Sequence, residues 1–153
     1  MHPTMPAPAT LPTSAQPCPC GRKARGRPIT FADCCGRFLA DVQTPAEQRA
    51  ARVSDAETLM RSRYTAYGLG DEAYLLATWH PRTRPAMLQL AESPAVQWLG
   101  LDVRAHLPLG ADRAEVEFVA RSRDATGRAS RLHERSRFVR EDGRWYYVDG
   151  DLR

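Results

Sequence analysis

No apolar run in this chain approaches the roughly 18 residues that a membrane-crossing helix needs, so a helical membrane protein is not expected. The first seventeen residues, MHPTMPAPATLPTSAQP, have neither a basic n-region nor an apolar h-region. They read as a disordered Pro/Ala/Thr tail and not as a secretory signal. The expected setting is therefore the reducing cytoplasm, where disulfides do not persist. Lysine is nearly missing, with Lys23 alone, so the net charge of +4 and the pI of about 9.1 come from arginine. Such a balance fits a nucleic-acid surface. It fits equally well arginines scattered over solvated faces, because Asp and Glu are interleaved through most of the chain. No helix-turn-helix pattern or stacking platform supports RNA or DNA binding. What remains is ordinary for a soluble globular protein: 153 residues, 42% hydrophobic and 26% charged, enough for one domain and a small appendage.

Cysteine is absent outside one stretch, CPCGRKARGRPITFADCC, which holds Cys18, Cys20, Cys34 and Cys35. Two close pairs joined by a loop suit a tetrahedral metal, and four soft sulfurs select Zn²⁺ or an iron–sulfur cluster. With four protein ligands no coordination position stays open, so a zinc here would be structural. Arg22, Lys23, Arg25 and Arg27 would offset the formal charge of about −2 on such a centre. Disulfides are the rival reading, opposed by the compartment and by the strain of linking adjacent Cys34 and Cys35. A redox-active Cys-x-Cys is a third. The metal would fold a knob of about twenty residues with too little apolar surface to fold alone. On that view Cys34→Ser destabilises the knob and spares the rest. The pattern CPCG…CC resembles the SEC-C motif, a zinc knuckle, although the thirteen residues from Gly21 to Asp33 make a longer loop than usual. Similar knuckles dock on protein partners.

Helix signals fill residues 44–93. Thr44-Pro45 opens a short polar helix that reads as a linker. Ser54 and Glu57 form a capping box, and Gly68 offers a left-handed stop for the main helix. Ala56, Leu59, Met60, Tyr64 and Tyr67 share its apolar face, with Arg63 in the middle and Arg61 and Ser62 pointing away. Asp71 caps a further helix whose inner face is Tyr74, Leu75 and Thr78/Trp79, with Pro81 as its end. His80 behind it is either an acid/base group at a pocket mouth or a histidine favoured by the negative helix end. Residues 83–92 make at most one short helix, and Pro94 closes this half.

From residue 95 the period becomes two. Leu101, Val103, Ala105 and Leu107 share one face of a first strand, and a bulge at Gly100 brings Trp98 onto that face. Val116, Phe118 and Ala120 point inward from the second. The third places Leu132, Glu134, Ser136 and Phe138 inward, with His133, Arg135 and Arg137 outward opposite Glu115 and Glu117. Asp142-Gly143 signals a hairpin into RWYYVDG. The result is a four-stranded antiparallel meander in an α+β arrangement. Glu134 and Arg63, each on an inward face, are expected to meet between helix and sheet, sheltered by Tyr64, Trp79 and Trp98.

LMRSRYTAY, YLLATWHP, VQWLGL and HERSRFVREDGRWYYVDG in this order resemble the bacterial YchJ-like family. That resemblance implies a SEC-C-type knuckle at residues 18–43 after a tail at 1–17. It also implies a nuclear-transport-factor-2-like (cystatin-like) cone at 44–153, helices packed on a curved sheet. The family motifs fall on Arg61, Arg63, Tyr64, Trp79, His80, Glu134 and Trp145. Two functions are in view beside nucleic-acid binding. One is a binding or adaptor module, docked on a protein partner by the knuckle, with a pocket for a small ligand lined by Arg63, Tyr64, Trp79, Trp98, Glu134 and Phe138. The other is an isomerase- or hydrolase-like enzyme with Glu134 as base, Arg63 stabilising an oxyanion, and His80 or Tyr64 as proton donor. If Arg63 and Glu134 close on each other, they are a structural brace instead.

Overall fold

The computed structural model describes residues 11–90 and 96–153. The chain begins with a two-stranded hairpin, β1 (Lys23–Ala24) and β2 (Arg27–Pro28). Four helices follow, α1 (Gly36–Leu39), α2 (Ala46–Ala50), α3 (Ala56–Leu69) and α4 (Glu72–Ala77). An antiparallel meander completes it: β3 (Val96–Pro108), β4 (Arg113–Asp124), β5 (Ala129–Glu141) and β6 (Arg144–Leu152), paired in that order. Among the described residues no helix is long and apolar enough to cross a membrane. Residues 83–90 hold no α-helix, and the boundary expected at Pro94 lies outside the described residues. The supposed tail is bound to the knuckle from Ser14 on: Phe31 N–H donates to Gln16 O at 2.8 Å and Ala32 N–H to Ser14 O at 3.1 Å.

The main helix starts one residue later than Ser54 suggests. Asp55 is the N-cap, with extended backbone (φ −154°, ψ 165°) and a carboxylate that accepts from the Thr58 N–H at 2.8 Å. A carboxylate three residues ahead of an amide outcompetes the hydroxyl of Ser54 for this place. The helix also runs past Gly68 and stops at Gly70, which takes the left-handed conformation at φ +71°. α3 touches α1, α4, β3, β4 and β6, so it is buried nearly all round. This overturns the outward placement of Ser62. That residue is fully buried, donates to Leu59 O at 2.8 Å and shares a 2.6 Å hydrogen bond with the Tyr74 hydroxyl. Arg61 lies along the knuckle, donating to Glu57 and, at 3.1 Å, to Cys20 O.

In the sheet, the expected bulge beside Gly100 is present between Trp98 and Gly100. A second irregularity, between Val103 and Ala105, has no signal in the sequence. Arg104 is the extra residue, and beyond it the parity reverses. His106 then pairs with inward Val116, and Leu107 with outward Glu115, so Leu107 is exposed rather than inward. On the outer face His133 and Arg135 reach Glu117 at 3.2 and 3.4 Å, whereas Arg137 turns to Asp149 and Asp151 of β6. The turn into β6 has Asp142 and Gly143 both at positive φ, 52° and 76°, as a two-residue hairpin requires. α4 ends at Ala77, before Pro81, because the chain leaves it to bridge β6: Tyr147 N–H donates to Thr78 O and His80 N–H to Tyr147 O.

α2 is no mere linker. Arg49, 4% exposed, donates to Thr44 O, to Phe38 O at the end of α1, and to Asp71, the cap of α4. It joins the knuckle to the helical layer with one planar fork of donors. Phe31, Phe38 and Leu39 belong to the same continuous core as Leu59, Tyr74 and Val116. Knuckle and cone therefore share one core.

Candidate functional site

The four cysteines are all buried, and their Sγ atoms lie within 4.8 Å of one another. Tetrahedral zinc with bonds of about 2.3 Å would set its sulfurs about 3.8 Å apart, so small side-chain movements suffice to close the site. All four are free thiols, with Cys20 and Cys34 Sγ 3.5 Å apart. Hydrogen bonds from Cys18, Cys34 and Cys35 hold the Cys20 thiol far below its ordinary range. The same crowding, with Cys18 foremost and burial added, pushes Cys35 far up. Four sulfurs this close ionise together only around a cation, and the donor set fits a soft divalent metal. α3 supports the cluster from below: Thr65 Oγ1 donates to Cys35 Sγ at 3.4 Å, and Arg22 reaches back to Thr58 Oγ1 at 2.9 Å.

A second site lies between α3 and the inner face of the sheet. This cavity of about 210 Å³ is walled mainly by aromatic rings, and Arg63, Tyr64, Trp79, Trp98, Glu134 and Phe138 all line it. Tyr64 meets Trp98 edge to face at 5.7 Å. Glu134 and Arg63 both face this space, but among the described residues no ion pair joins them, contrary to the expectation from parity. Arg63 is 5% exposed, and its Nη1 donates to Leu75 O at 2.7 Å and to Thr78 Oγ1 at 2.6 Å. Its guanidinium packs against the rings of Trp79 and Tyr147, 5.0 and 4.6 Å from their centroids. Burial draws its pKa down, and Glu134 counters this only from a distance. Glu134 instead accepts on Oε1 from Ser136 Oγ at 2.8 Å and from the Tyr147 hydroxyl at 3.3 Å. The α4 carbonyl and Thr78 win the arginine because α4 packs directly on α3. Glu134 is held on β5 by a partner two residues on.

A model of the YchJ middle NTF2-like domain matches residues 55–150. The chain belongs to the YchJ-like family. This YchJ-like protein is 57% identical over 142 residues to a UPF0225 protein of Polaromonas naphthalenivorans, covering 88% of this chain and 96% of that one. To a UPF0225 protein of Xanthomonas campestris pv. campestris it is 51% identical over 137 residues, covering 90% and 95%. The solution structure of a SEC-C motif containing protein from Rhodopseudomonas palustris matches with a TM-score of 0.68 at 34% identity, over 89% of this chain and 98% of that one. The YchJ-like chain thus has an NTF2-like α+β fold preceded by a cysteine cluster resembling a SEC-C knuckle.

His80 is not in the cavity of the YchJ-like fold. The bridge to Tyr147 turns Trp79 inward and leaves His80 outside, 2.9 Å from Glu141 and edge to face with Tyr146. Tyr64 is in the wall, and burial raises its pKa, so the hydroxyl stays protonated. Tyr147 went unnoticed in the sequence although its ring touches Arg63 and its hydroxyl touches Glu134. Two adjacent tyrosines gave no parity, and the register shift between Arg137 and Phe138 decided which one turns inward. Gly150 is the other missed residue. A Cβ there would come within 2.7 Å of Glu134 Cδ, so only glycine leaves the carboxylate its place.

Proposed function

We propose that this protein is a zinc-knuckle binding module whose cone receives a small organic ligand. The observation that carries this reading is the separation of Arg63 from Glu134. A brace would close the two on each other. Here neutral neighbours hold each charge at the wall of an aromatic cavity, where a bound molecule can meet both. Zinc is the metal that four thiolates in a tetrahedral cluster suit best, and its role is structural. It secures the knuckle against α3, the helix that brings Arg63 and Tyr64 to the cavity. The exposed residues Lys23, Arg25 and Arg27 of the β1–β2 hairpin form the face offered to an acidic protein partner.

Native mass spectrometry of the full chain tests the reading. The expected mass is that of the chain, one zinc ion and, in part of the population, a small organic molecule released on denaturation. Leu132→Trp, which fills the cavity from β5, is expected to abolish the organic component and keep the metal. Chain and metal alone, or an organic component that survives Leu132→Trp, contradict it. A catalytic use of the same cavity has one observation behind it. Both described hydrogen bonds to Glu134 fall on Oε1, and Oε2 has no partner among the described residues, as a proton acceptor would need.

A further inference from the structure

Arg63 is a nearly buried cation whose described partners are all neutral: one carbonyl, one hydroxyl and two ring faces. Both of those hydrogen bonds use Nη1. No partner is described for Nε or Nη2, the side of the fork left for a bidentate acceptor. A buried ion without a counter-charge at contact is costly, and a carboxylate arriving in the cavity would relieve that cost. Glu134 lines the same cavity, and its Oε2, without a partner among the described residues, is an acceptor for a donor group. Between them the walls are aromatic: Tyr64 and Trp98 on one side, Trp79, Tyr147 and Phe138 on the other.

Resting on the reading of the cone as a ligand site, we infer that the ligand is an aromatic monocarboxylate. Its carboxylate lies on Arg63, its ring lies among the aromatic walls, and a hydroxyl at its far end donates to Glu134. One arginine faced by one carboxylate disfavours a dianion such as a phosphate ester, which would meet Glu134 with its second charge. The arginine likewise disfavours a cation, which the aromatic walls and Glu134 would otherwise attract.

The test is isothermal titration of the full metal-loaded chain with four probes: 4-hydroxyphenylacetate, phenylacetate, phenylacetamide and phenethylamine. The first is expected to bind best. Phenylacetamide is expected to bind roughly ten-fold or more weaker than phenylacetate, the loss that follows from giving up hydrogen bonds to a charged group. Arg63→Met is expected to abolish the preference for acid over amide. Glu134→Gln is expected to reduce the preference for the hydroxylated probe while keeping that for the acid. Acid and amide bound equally by the unaltered chain overturn the inference, and so does phenethylamine bound more tightly than either. In both cases the cone remains a ligand site of another specificity. If none of the four probes binds, while the organic component seen in native mass spectrometry is displaced by Leu132→Trp, the inference falls and the ligand site stands. The comparison on the unaltered chain is decisive even where Arg63→Met does not fold.

Discussion

Cys34→Ser is expected to abolish the metal binding proposed for the cysteine cluster and to lower the melting temperature of the entire chain, in a single transition, by roughly 20 °C or more. Structural zinc contributes about 10–16 kcal/mol in small finger peptides, and a serine in place of one thiolate forfeits much of that. Such a loss is comparable to the whole stability of a domain. The sequence alone suggested that the cone would be spared. The structure argues otherwise, because Phe31, Phe38 and Leu39 of the knuckle share a core with Leu59 and Tyr74 of the cone. Arg61 and Thr65 of α3 also hold Cys20 O and Cys35 Sγ directly. Metal analysis with differential scanning calorimetry checks this. Two separate transitions, the upper one unmoved, would show that the knuckle is an independent unit.

Arg49→Met is the second large effect. The guanidinium binds Thr44 O and Phe38 O at 2.9 Å and Asp71 at 3.0 Å, and it lies 5.7 Å from the Tyr74 ring. Methionine fills the space but leaves two carbonyls and a carboxylate without their donor. Removing one partner of a buried ion pair costs about 3–5 kcal/mol; with Asp71 17% exposed the loss falls at the lower end, which for a chain of this size is a fall of roughly 10 °C. Asp71 keeps its 3.1 Å bond from the Tyr74 N–H, so α4 itself survives and the loss falls on the junction between knuckle and cone. Hydrogen exchange is expected to rise first in α1 and α2. A melting temperature within 2 °C of the unaltered protein would refute this role.

The architecture was legible where a single pattern governs a stretch. Alternation gave the inward residues of β4 and β5, Asp-Gly gave the final hairpin, and the spacing of four cysteines gave the cluster. The six side chains expected at one cavity do line it. Three kinds of information were missing. The bulge at Arg104 reverses parity with no residue that announces it. The α3 helix is wrapped on several sides, so the apolar stripe understates its burial and conceals Ser62. And the buried arginines Arg49 and Arg63 take backbone carbonyls among their partners, which no side-chain pattern can reveal. The last point misled the reading of Arg63, whose charge was expected to require Glu134 and is held by Leu75 O and Thr78 instead. It also hid Arg49 in what looked like a polar connector.

Whether Arg63 and Glu134 are separate tools or one brace is best decided by a double-mutant cycle in thermal or chemical unfolding, with Arg63→Met, Glu134→Gln and the pair. If each keeps its own neutral partners, with Tyr147 as a neighbour in common, the two losses add to within about 1 kcal/mol. A coupling of about 3 kcal/mol or more, the signature of a closed buried ion pair, would contradict the account and leave the cavity without its two charged walls.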